Sequence, residues 1–124
     1  AVFSEPGLAG YAPCLADDEA RLRHALARGC RLAAVTLGER GVAWTDGGTL
    51  QSQRGFRVDA VDTTGAGDVF HGALALALGA RADIAESFRF AAAVAALKCT
   101  QPGGRAGVPD LDRVFAALNE LKES

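Results

Sequence analysis

The sequence predicts an α/β protein, a mixed sheet with covering helices, and two observations carry that prediction. Apolar runs of strand length, separated by glycine-rich turns, fill the first half, while long segments with helical spacing fill the second. Residues 32–37 form a near-continuous apolar run, the pattern of a central strand covered on both faces.

The elements follow in order. Residues 2–4 read as a short strand leading into a turn at Pro6-Gly7. Asp17 or Asp18 caps a helix whose Leu22, Ala25 and Leu26 recur at helical spacing, and Gly29 ends it. The central strand at 32–37 is followed by Gly38-Glu39-Arg40-Gly41, a strand at 42–45 and a turn at Asp46-Gly47-Gly48. Residues 50–61 are expected to hold two short strands broken near Gly55. An apolar helix spans 66–78 and starts directly at a glycine-rich loop. Asp83, with Glu86 three residues on, opens a helix through Leu97 in the manner of a capping box. Residues 101–109, with Gly103, Gly104, Gly107 and flanking prolines, form a loop. Asp110 caps a last amphipathic helix with Leu111, Val114, Phe115 and Leu118 on one face.

Composition narrows the function classes. A length of 124 residues suits one domain, and 49% hydrophobic with 23% charged residues is ordinary for a soluble globular chain. A net charge of −2 without a basic block gives no footprint for nucleic acid or an anionic membrane. The apolar runs are too short to span a bilayer, and no secretory signal is recognisable. Cys14, Cys30 and Cys99 lie in no metal-type spacing and read as idle thiols of a reducing cytoplasm. The opening residues read as a strand already in progress, and methionine is lacking, which removal of an initiator before Ala1 would explain alone. The expectation that the chain is part of a longer protein therefore leans on the family resemblance given below.

The chemistry concentrates in Asp62-Thr63-Thr64-Gly65-Ala66-Gly67-Asp68, between a strand-like run and an apolar helix. Gly65 and Gly67 let backbone approach a ligand closely. The amides of Gly65, Ala66 and Gly67 at a helix start form an anion hole suited to phosphate. Asp68 beside that hole is unneeded for holding phosphate alone, but it suits removal of a proton from a hydroxyl attacking that phosphate. The plainer alternative is an aspartate that complements the helix dipole, next to glycines that serve a tight turn.

This segment, continued by Val69-Phe70-His71-Gly72-Ala73-Leu74, resembles the second signature of the ribokinase/PfkB carbohydrate kinases. Residues 35–42 resemble that family's nucleotide-contacting strand and turn. Residues 91–97 and 101–109 resemble its helix and loop on the adenine side. The resemblance covers nearly the whole chain and implies a ribokinase-like sandwich of which this is the C-terminal portion. Residues 1–124 would form the nucleotide-binding and catalytic part, without the N-terminal half that binds the acceptor.

The implied activity is ATP-dependent phosphorylation of a sugar or sugar-like hydroxyl, with Mg²⁺ and a monovalent cation such as K⁺. The complete protein would be a cytoplasmic homo-oligomer acting on a small-molecule substrate. Asp68 would be the catalytic base, and the amides of Gly65, Ala66 and Gly67 would stabilise the transferring phosphoryl group. Thr36, Gly38, Gly41 and Gly67 would contact the nucleotide. Asp62, Thr64 and carbonyls around Lys98, Gln101, Gly103 and Gly107 would hold the monovalent cation.

One departure stands out. Where the family often carries Asn-x-x-Glu, this chain has Ser4-Glu5-Pro6-Gly7, which leaves Glu5 as the nearby carboxylate; a structural role is expected for it. His71, Arg40 and Arg105 read as packed or solvated side chains, and Trp44 as core or sheet surface.

Two rivals are weaker. The absence of Gly-x-x-x-x-Gly-Lys-Ser/Thr excludes a P-loop enzyme. A dinucleotide fold would need a third glycine where Phe70 stands and would set the Asp68 carboxylate against the pyrophosphate. A non-catalytic nucleotide-binding relative or a structural fragment is the other rival, although retention of Asp68 argues against lost catalysis.

Overall fold

A computed structural model describes residues 1–120. These residues divide into two compact units, at 1–52 and from 53 onward.

In the first unit, strand β1 (Val2–Ser4) lies parallel to β2 (Ala33–Thr36), pairing Phe3 with Val35. β2 runs antiparallel to β3 (Val42–Thr45), pairing Ala34 with Trp44. With β4 (Gln51–Gln53) they form a mixed four-stranded sheet in the order β1-β2-β3-β4. β2 is therefore internal, and its Ala33, Ala34 and Val35 are fully buried, as the unbroken apolar run requires. Trp44 is buried as well, which settles it as core.

Residues 5–11 form helix α1 (Glu5–Tyr11) rather than the turn expected at Pro6-Gly7. Ser4 is its N-cap, accepting the Gly7 amide on Oγ at 3.1 Å. Proline is tolerated in a first helical turn because the N–H it lacks would have no helical partner there. Asp17, not Asp18, caps α2 (Asp18–Ala27) through the Ala20 amide at 2.8 Å. Leu8, Leu22, Ala25, Ala33 and Val35 form the core that joins both helices to the sheet.

The second unit is helical. The second of the two strands expected within 50–61 does not form; Phe56 makes only an isolated bridge. α3 (Ala66–Gly79) packs against α4 (Ile84–Cys99), where Phe70 and Phe88 rings lie 6.3 Å apart. Asp83 caps α4 through the Glu86 amide at 3.4 Å, and the helix runs two residues past Leu97. Asp110 accepts the Arg113 amide at 2.8 Å and opens α5 (Leu111–Glu120). The buried face of α5 is Val114 and Ala117, whereas Leu111 and Phe115 stay exposed. The apolar stripe expected on that helix is thus only partly covered.

Candidate phosphate site at the start of α3

The seven residues singled out in the sequence form a turn that delivers the chain into α3. Asp62 opens it: its Oδ1 accepts the Thr64 amide at 2.8 Å, an Asx-type turn. Its Oδ2 accepts the Gly103 amide at 2.9 Å, so one carboxylate ties the turn to the loop after α4. Its backbone N–H donates to the Cys99 carbonyl at 3.1 Å. Hydrogen bonding from the Thr64 side chain, then from the Thr64 and Gly103 amides, holds the Asp62 carboxyl down at about 2.

Gly65 caps α3 in the left-handed region, at φ +74°, where an L side chain is strained. A Cβ there would also sit 3.9 Å from the Gly104 Cα. Gly67 differs, because a Cβ on it would meet no protein atom within 4 Å. Gly67 therefore faces open space, while Gly65 is fixed by its conformation.

The first-turn amides of α3 lack helical partners by geometry. Of the three amides named in the sequence, that of Ala66 donates to the Thr63 carbonyl at 3.1 Å. The Val69 amide closes the first helical bond onto Gly65 at 3.0 Å, which leaves Asp68 inside the first turn. Its own backbone N–H therefore joins that of Gly67 in the first-turn donor set, a contribution that attention to its carboxylate hides. The Asp68 side chain is exposed. His71, one turn on, shares a 2.7 Å hydrogen bond between Nδ1 and the Gly67 carbonyl; the carbonyl accepts, so Nδ1 carries the proton.

The residues expected around a cation gather here too. Lys98 is fully buried at the end of α4, and its Nζ donates to the Asp62 backbone carbonyl at 2.9 Å. Its own carbonyl accepts the Gln101 amide at 3.1 Å. A Cβ on Gly107 would lie 3.1 Å from the Lys98 carbonyl oxygen and 3.5 Å from that of Gln101. Thr64 meets this loop as well: a Cβ on Gly104 would lie 3.9 Å from its carbonyl oxygen.

In the first unit, Thr36 ends β2 and its hydroxyl donates to the Phe3 carbonyl at 3.3 Å. Gly38 and Gly41, at φ +61° and +101°, bound a tight turn closed by the Leu37 amide on the Gly41 carbonyl at 2.8 Å. Glu5 is engaged by Arg40, whose Nη2 reaches both carboxylate oxygens at 2.6 and 2.8 Å. That pairing raises the Arg40 pKa. Among the described residues, no group of three or more His, Cys, Asp or Glu side chains converges to hold a metal ion. No helix among them is long and apolar enough to cross a membrane. Burial pushes the Cys99 thiol up, in keeping with an idle cysteine.

The mixed sheet with covering helices has the ribokinase-like architecture that the sequence implies. The chain belongs to the pfkB family of carbohydrate kinases, whose family model matches residues 4–111. It is 43% identical over 88 residues to the ribokinase of Lactococcus lactis, an alignment covering 71% of this chain and 29% of that protein. Ribokinase from Thermotoga maritima superposes with a TM-score of 0.89 at 30% identity, over 95% of this chain and 41% of the other. Arabidopsis thaliana ribokinase, solved with ribose and ATP, superposes with a TM-score of 0.87 at 28% identity, over 94% and 39%. The chain thus spans less than half the length of each of these relatives.

Proposed function

We propose that this chain supplies the phosphoryl-transfer machinery of a kinase that moves the γ-phosphoryl group of ATP to a hydroxyl of a sugar or sugar derivative. The observation that carries the reading is the start of α3: a left-handed Gly65, open space over Gly67 and an exposed Asp68 in the same turn. An ordinary helix start needs only a cap. Here the cap position is given to glycine, and no side chain closes the first turn.

The chemistry follows from those parts. First-turn amides and the helix dipole offset charge on the transferring group. Asp68 takes the proton of the attacking hydroxyl as the new P–O bond forms, and ADP departs. Thr36, Gly38 and Gly41 are assigned to nucleotide contact because their strand end and turn resemble the family's; two positive-φ glycines leave that turn without side chains that would obstruct a ligand. Mg²⁺ accompanying the nucleotide would offset phosphate charge. Glu5 is paired with Arg40, and among the described residues no group of three or more His, Cys, Asp or Glu side chains gathers to hold the ion.

The test is transfer of labelled γ-phosphate by the complete protein to a panel of pentoses, hexoses and their acid derivatives. Formation of a sugar phosphate in an ATP-dependent manner is expected. Nucleotide binding with no transfer to any acceptor would instead favour a non-catalytic relative.

A further inference from the structure

Among the described residues, Lys98 is, after Phe88, the largest side chain wholly removed from solvent. Lysine is almost never buried to this extent unless its charge is compensated. Here the ammonium ends on the backbone carbonyl oxygen of Asp62 at 2.9 Å, and the Asp62 carboxylate adds its field. Asp62 is also the residue that shapes the turn into α3 and ties down Gly103.

Asp62, Thr64, Lys98, Gln101, Gly103 and Gly107 are the residues whose oxygens the family resemblance assigns to a monovalent cation. They do gather, but the fit to a free ion fails at one point. The Asp62 carbonyl is already met by a fixed unit positive charge belonging to another member of the set. An ammonium and a potassium ion carry the same charge, and both are satisfied by carbonyl oxygens at close range. A second cation at that carbonyl would face the first at close range.

We propose that the Lys98 ammonium is a tethered replacement for the monovalent cation. It holds the Asp62 carbonyl and, through the Asx turn, the approach to the α3 start, so the protein works without potassium. Lys98 is on this view a positioning residue, contributing a constant charge beside the anion site. The inference rests on the phosphotransfer reading above.

The experiment is a salt series on the complete wild-type protein with potassium, sodium, lithium or choline chloride. Initial rates are expected to agree within about twofold at matched ionic strength, since only screening remains. The melting temperature should likewise be the same in potassium and choline. Potassium activation of about tenfold or more, the usual scale for a lost ion-ordering contact, would overturn the proposal. So would a potassium-specific rise in melting temperature, the mark of an ion that binds only the folded state. Because melting needs no turnover, a protein inactive in every salt refutes the kinase reading while the melting series still judges Lys98. Lys98→Ala frees both the carbonyl and the space. It should lower the rate in choline by about tenfold and gain potassium activation, whereas Lys98→Met, which fills the space without charge, should lose rate without rescue. An unimpaired Lys98→Met variant would also overturn it.

Discussion

The Asp62 carboxylate accepts the Gly103 amide at 2.9 Å across 41 residues of sequence. The same carboxylate accepts the Thr64 amide two residues on. One side chain therefore couples the turn before α3 to the loop after α4.

That coupling predicts a pH dependence. The folded Asp62 pKa, about 2, lies below its ordinary value of 3.8. A depressed carboxylate adds stability that is fully present above the unfolded pKa and is lost as pH falls through the folded one. The stability difference between wild type and Asp62→Asn should therefore be constant above pH about 4 and shrink between about 4 and 2. Urea unfolding of both proteins across that range checks it. A difference that stays level down to pH 2 would show that the charge of Asp62 does not matter.

The glycines of the phosphate turn separate conformation from access. Gly65→Ala places a Cβ at φ +74° and should destabilise by about 1–2 kcal/mol. Gly67→Ala enters open space in a helical residue and should leave stability unchanged or improve it by up to about 1 kcal/mol. Its methyl nevertheless intrudes where phosphate is proposed to lie, so KM for ATP should rise. Thermal melts with steady-state kinetics on both variants decide. A Gly67→Ala protein with wild-type ATP affinity would move the phosphate elsewhere.

Much of this was legible in the sequence because short-range physics fixed it. Asp83 and Asp110 cap their helices as their spacing implies, Asp17 is the one of the two expected candidates that caps α2, and the apolar run at 32–37 holds the internal strand β2. Two local readings failed for identifiable reasons. Pro6-Gly7 carries a turn signature, but Ser4 supplied a cap and turned it into a helix start. Residues 50–61 have strand-like composition, yet composition cannot show whether a partner edge is available, and only Gln51–Gln53 formed a strand. The Lys98 ammonium was invisible for a deeper reason. A lysine near a helix end reads as a solvated dipole partner, and only the long-range approach of the Asp62 carbonyl reveals it as buried.

The Glu5–Arg40 pair gives a prediction about Mg²⁺. Both side chains are about half exposed, at 46% and 63%, so the pair is screened and its loss should cost little. If Glu5 serves Arg40 and not the metal, Glu5→Gln should leave the Mg²⁺ concentration for half-maximal turnover unchanged. A Mg²⁺ titration of the variant checks this. A large rightward shift would return Glu5 to metal ordering.

Asp68 permits the most direct test of mechanism. As a base it acts only once the acceptor hydroxyl attacks, so its contribution belongs to the transition state and not to nucleotide affinity. Asp68→Asn keeps the side-chain shape and the backbone amide that joins Gly67 in the first turn, and removes only the proton acceptor. In the complete protein kcat should fall by about a hundredfold or more, the usual scale for a lost general base. KM for ATP should barely move, because the first-turn amides remain. A merely structural aspartate would behave differently: losing its interaction with the helix dipole would cost at most about 1 kcal/mol of stability and leave turnover near normal. Measuring kcat, KM for ATP and melting temperature on this one variant separates the two. A variant with unimpaired kcat would remove Asp68 as the base, while lower kcat with a matching rise in KM would place it in nucleotide binding instead.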